Sequence, residues 1–120
     1  MSVPGPAFPR PPAQVAPYVE VLGFDLTVQF LLRFGGAELY IPAHPQGRSR
    51  VEALVGAEKT RALAKTEYLL QRRVPLANDW VACCLHVQGW SNNDIARTLR
   101  ITDITVRRYL KQDPAREGQS

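Results

Sequence analysis

Two helix-start signals eleven residues apart, Ser91-Asn92-Asn93-Asp94 and Thr102, leave little freedom to the stretch that holds them. Each puts a hydroxyl where it can accept from a backbone N–H three residues on, and Asp94 completes an S-x-x-D cap. Ile95, Ala96 and Leu99 follow the first cap, and Val106, Tyr109 and Leu110 follow the second, at the spacing of two short helices. Counted from Asn92, residues Ile95, Ala96, Leu99, Ile101, Val106 and Tyr109 stand at positions 4, 5, 8, 10, 15 and 18. Those are the apolar positions of a helix-turn-helix, and small Ala96 falls where its two helices cross. The ninth position, usually glycine, is Arg100, so the turn is expected to differ in shape. A preceding helix completes the unit, with Asn78-Asp79 as its cap, Trp80, Cys83, Cys84 and Val87 as an apolar stripe, and Gly89 as its stop.

With Val106 facing inward and about 100° of rotation per residue, Ile104, Arg108 and Lys111 point outward, flanked by Thr105 and Arg107. Residues 90–112 set Arg97, Arg100, Arg107, Arg108 and Lys111 against Asp94 and Asp103, a net charge of +3. Such a face suits a helix laid in the major groove of double-stranded DNA, its cations reaching guanine edges or phosphates. A solvated charged face explains the charges, but not the coincidence of caps, small fifth residue and apolar spacing. Ser91, Asn92 and Asn93, at the start of the preceding helix, offer donors to a phosphate, a role compatible with capping. The expected DNA-binding residues are therefore Ser91, Asn92, Asn93, Thr102, Ile104, Thr105, Arg107, Arg108 and Lys111. For Ile104, contact with a thymine methyl and inward packing both stay open, and Arg72 and Arg73 suit phosphate contacts or a solvated turn equally.

The rest of the chain reads differently. Of the net +4, residues 1–47 contribute none, with Arg10 and Arg33 against Glu20, Asp25 and Glu38, so the basic excess is C-terminal. Six of ten prolines lie within residues 1–17, which reads as a disordered arm, a proline-rich ligand being the other option. Asp25 to Phe34 predicts a short buried helix stopped by Gly35-Gly36. Ala37 to Pro42 then alternates Leu39 and Ile41 with Glu38 and Tyr40, the pattern of one strand. No other segment has a comparable β pattern, so its backbone groups need a partner from elsewhere. A two-stranded ribbon with a second copy supplies one, against an irregular edge contact, and makes Leu39, Tyr40 and Ile41 the candidate dimerisation residues. Ser49 and Glu52 match a capping box, Gly56 interrupts, and a helix is expected over Ala57–Leu70 with Ala62, Leu63, Tyr68, Leu69 and Leu70 buried.

Several function classes lose support. At 120 residues the chain is one compact domain or two very small ones. Cys83 and Cys84 are adjacent and read as core thiols in a reducing interior rather than as metal ligands with His86. No nucleophile elbow, phosphate loop or paired carboxylates are present, so no enzyme, metal or cofactor is expected. Neither a signal peptide nor a membrane span is apparent, which predicts a cytoplasmic, nucleoid-associated protein.

Phe34-Gly35-Gly36-Ala37-Glu38-Leu39-Tyr40-Ile41-Pro42, with the helix-turn-helix about fifty residues later, resembles the Mor transcription activator family of Mu-like phages. The resemblance covers roughly residues 20–112, and the proline-rich arm and Arg100 depart from it. It implies a homodimer sharing a ribbon through Leu39, Tyr40 and Ile41, with C-terminal helices entering DNA at two half-sites, that activates phage promoters through host RNA polymerase. The expected fold is mainly α, with an arm over 1–17, a dimerisation region over 18–73, a helix-turn-helix domain over 74–112 and a tail over 113–120. The expected function is a dimeric, sequence-specific DNA-binding transcription regulator of phage or prophage-like genes. The alternative is a small terminase-like DNA-packaging component, which also joins a helix-turn-helix to an oligomerisation segment.

Overall fold

The computed structural model describes residues 8–44, 46–47, 49–70 and 72–112. They are mainly helical: α1 (Ala16–Phe34), α2 (Arg50–Val55), α3 (Ala57–Lys65), a 3-10 turn (Glu67–Leu69), α4 (Asn78–Val87), α5 (Asn92–Leu99) and α6 (Asp103–Lys111). The described residues divide into two compact units, one within 11–76 and one that joins 8–10 to 77–112.

In the first unit α1 packs on α2 and α3. The helix starts at Ala16, well ahead of Asp25, because Pro17 sits in its first turn, where a missing N–H breaks no helical bond. Gly23, at φ 81° and ψ 170°, then breaks α1 into two stretches. Tyr18, Leu22, Val28, Phe30, Leu31 and Phe34 are buried, and the Phe30 ring lies 5.1 Å from Tyr18 and 5.0 Å from Phe34. The arm expected over 1–17 is partly built into this core. Val15 is buried, and the N–H groups of Val15 and Ala16 both donate to the Pro12 carbonyl, at 2.9 and 3.0 Å. Prolines exclude a helix interior but not a turn that delivers an aliphatic side chain. Residues 1–7 of the arm and the tail over 113–120 lie outside the described residues.

The helix stops at the expected glycines. Gly35 N–H donates to Leu31 O at 2.9 Å, and a Cβ on Gly35 would stand 2.6 Å from that same oxygen. The strand expected over Ala37–Pro42 is reduced to one antiparallel bridge, Glu38 to Arg73. Gly36 N–H donates to Val74 O at 2.7 Å and Val74 N–H donates to Ala37 O at 2.9 Å, so this stretch finds a partner inside its own chain. Pro75, with no N–H to donate, closes the pairing on the side toward α1. A two-residue partner of this kind leaves no periodic trace in a sequence.

Half of the capping box at α2 forms: Ser49 Oγ accepts from Glu52 N–H at 2.9 Å, while Glu52 Oε1 reaches past the Ser49 N–H and accepts from Gly47 N–H at 2.7 Å. The helix expected to reach Leu70 ends at Lys65. Thr66 Oγ1 donates back to Leu63 O at 3.1 Å and the chain tightens into the 3-10 turn, which swings Tyr68 (82% exposed) and Leu69 (52%) outward, against the expectation that both are buried.

In the second unit α4, α5 and α6 pack against one another. Every residue of α4 from Trp80 to Leu85 is buried, so the expected stripe is a helix apolar nearly all round. Trp80 donates its indole N–H to Pro9 O at 3.0 Å, and Cys83 Sγ lies 3.6 Å from Tyr109 O. Asn78 and Asp79 do not cap α4. Ala77 precedes it with a left-handed backbone, φ 46° and ψ 44°, and Asn78 and Asp79 fall in the first turn, where Asp79 Oδ1 accepts from Trp80 N–H at 2.8 Å. Gly89, at φ 96°, follows the end of α4 as expected.

Candidate nucleic-acid interface

The Ser91 cap forms as the sequence requires, its Oγ accepting from Asp94 N–H at 3.1 Å. The buried side of α5 is Ile95 and Ala96. Its end is a Schellman motif: Ile101 N–H donates to Ala96 O at 3.0 Å and Arg100 N–H to Arg97 O at 3.4 Å. Arg100 takes the left-handed position itself, φ 59° and ψ 46°, so the chain makes the tight turn without the usual glycine.

Thr102 then caps α6. Its Oγ1 accepts from Thr105 N–H at 3.1 Å and lies 2.9 Å from Thr105 Oγ1, so the two hydroxyls share one hydrogen bond. Val106 and Leu110 are buried, which fixes the rotation of the helix. Ile104, Arg107, Arg108 and Lys111 are exposed and Thr105 half-exposed, in the angular order expected from Val106. Ile104 does not pack inward.

The cations differ in what holds them. Arg107 Nη2 lies 2.9 Å from Asp103 Oδ2, one turn back, and Arg97 pairs with Asp94 at 3.6 Å. Both are exposed pairs of small energetic worth, and a competing phosphate could displace either carboxylate. Among the described residues no carboxylate pairs with Arg100, Arg108 or Lys111; the Arg108 guanidinium instead rests 5.7 Å from the centre of the Tyr109 ring. Asp94 and Asp103 sit in the first turns of α5 and α6, where they favour the helix dipoles and lower the net charge at those ends.

Ser91 and Asn93 are exposed and Asn92 half-exposed at the start of α5. The sequence-based set omits the exposed cations Arg97 and Arg100, and Trp90. Arg100 entered as a departure from a glycine pattern and as one of five cations in the charge sum, although a cation in the turn before a basic helix, with no carboxylate partner among the described residues, is itself a signal. Trp90, directly before the Ser91 cap, is 37% exposed.

Leu39, Tyr40 and Ile41 belong to the other unit. Ile41 is buried, Leu39 half-buried and Tyr40 78% exposed, and the backbones of Tyr40 and Ile41 make no hydrogen bond to another described residue. The three line a hollow of about 430 Å³ with Tyr18, Leu70 and Arg72. Arg72 and Arg73 both reach Glu38, at 3.2 and 3.4 Å, so the structure gives them a local partner.

Cys83 and Cys84 are buried thiols, and no cluster of metal-ligating side chains occurs among the described residues. No described helix is long and apolar enough to cross a membrane. Comparison with protein-family models, with curated proteins and with solved structures finds no match to this chain.

Proposed function

We propose that this protein is a sequence-specific DNA-binding transcription regulator, with α5 and α6 as a helix-turn-helix and α6 as its recognition helix. The observation that carries the proposal is the outward face of α6. Ile104, Arg108 and Lys111 are exposed while Val106 and Leu110 are buried, and Thr102 caps the end that would enter the groove first. A merely solvated helix needs no exposed isoleucine on that face. In this reading Arg107, Thr105 and Thr102 flank the base-reading stripe, and Ser91, Asn92 and Asn93 meet the phosphate backbone.

The regulator acts as a homodimer of the Mor type in the cytoplasm, on phage or prophage-like promoters, with host RNA polymerase as a further partner. Support for the dimer comes from the Tyr40 ring, 78% exposed beyond the short Glu38–Arg73 pairing. The test is selection of duplexes from random DNA, followed by titration. Arg108→Ala weakens binding to the selected duplex by about 1–3 kcal/mol without changing the circular dichroism. Equal binding by variant and parent removes Arg108 from the interface. Sedimentation of the protein, free and bound, gives the stoichiometry: a dimer on a two-fold site fits, and Tyr40→Pro, which deletes a ladder donor, dissociates it. A monomeric parent refutes the dimer, and rings without sequence preference favour a terminase-like packaging component.

A further inference from the structure

Ile104 is 70% exposed at the second position of α6, although the fold has apolar positions to fill and isoleucine is only a middling helix former. With Val106 buried, rotation of about 100° per residue puts Ile104 and Arg108 on either side of the line opposite it, about 40° apart. A rise of 1.5 Å per residue sets their Cα atoms about 6 Å apart along the axis. The neighbouring polar groups are engaged elsewhere: the Thr102 and Thr105 hydroxyls with each other, Arg107 with Asp103. The outward stripe therefore carries Ile104 and two cations with no carboxylate partner among the described residues, Arg108 and Lys111; Lys111 is the last residue of α6, about 10 Å along the axis from Ile104, which leaves one branched aliphatic side chain and one guanidinium as the pair nearest the capped end.

In a major groove these two groups have distinct complements. An aliphatic side chain meets the C5-methyl of thymine, and a guanidinium forks onto O6 and N7 of guanine. At 3.4 Å per base step, about 6 Å along a helix lying in the groove corresponds to about two steps. We propose that Ile104 recognises a thymine methyl group, and that with Arg108 it specifies a thymine and a guanine about two base pairs apart within each half-site. This rests on the DNA-binding proposal and adds to it the chemistry that the site selects.

The test replaces each thymine of a selected duplex, one at a time, with deoxyuridine, which removes the methyl group and leaves the base pair intact. One position is expected to weaken binding by the full-length parent about 3- to 10-fold, as loss of one buried methyl contact predicts. Ile104→Ala, a change at an exposed site that leaves the circular dichroism unaltered, binds thymine and uracil duplexes equally at that position. Ile104→Val retains part of the discrimination. Arg108→Ala keeps the thymine preference while losing the preference for a G·C pair about two steps away. If the parent tolerates uracil at every position, or if Ile104→Ala discriminates as the parent does, this inference fails while DNA binding stands. If no duplex is selected, the DNA-binding proposal fails and this one with it.

Discussion

Replacing Arg100 with glycine should stabilise the second unit. Arg100 holds φ 59° and ψ 46°, and left-handed backbone costs a residue with a Cβ about 1–2 kcal/mol. Glycine adopts that conformation without the steric penalty, but its greater freedom in the unfolded chain takes back about 0.5–1 kcal/mol. The guanidinium is exposed and without a carboxylate partner among the described residues, so its loss subtracts little from the folded state. The expected net gain is about 0.5–1 kcal/mol, or about 2–8 °C in Tm for a unit of this size. Urea denaturation followed by far-ultraviolet circular dichroism measures it, with Arg100→Ala as the control. Alanine keeps the Cβ and hence the strain, so it should stay within about 0.5 kcal/mol of the parent. An Arg100→Gly variant no more stable than Arg100→Ala would refute the strain argument. If Arg100 also contacts a phosphate, the same substitution lowers the slope of log affinity against log salt by about 0.9 while raising stability.

Other outcomes follow from the same geometry. Thr27 Oγ1 is buried without a hydrogen-bond partner among the described residues, so Thr27→Val should raise the denaturation midpoint by the equivalent of about 1 kcal/mol. Thr102→Ala removes the α6 cap and should cost about 1 kcal/mol in the same assay, together with affinity for a selected duplex. Burial pushes the Tyr18 phenol above its ordinary value of 10.0. Because the folded value is the higher one, the contribution is complete below about pH 10 and is lost as pH rises through the folded value. Tyr18→Phe should therefore flatten the alkaline decline in stability above pH 10, and an unchanged decline would contradict it.

How much of this was legible beforehand varies by element. The caps at Ser49, Ser91 and Thr102, and the outward order of Ile104, Arg108 and Lys111, were readable because they depend on neighbours three or four residues away. The same local logic failed where a distant group decided the outcome. Val15 was assigned to a tail because nothing near it is apolar enough to hold it, yet it is buried in the fold. Ala37 appeared to lack a backbone partner because Val74 is remote in sequence and followed by proline. Tyr68 and Leu69 looked like core on composition, but the Thr66 side chain draws the chain into a tighter turn that exposes them.

Amino-acid order alone therefore determined the helical character, the caps at Ser49, Ser91 and Thr102 and the angular order of the α6 face, since a helix converts spacing into direction by a fixed rotation per residue. Tertiary structure decided which ends of those helices were anchored, that Arg100 could replace glycine at a left-handed turn, and that Ile104 stands in solvent rather than in the core. Those outcomes depend on packing between residues far apart in the chain, and no local spacing encodes it.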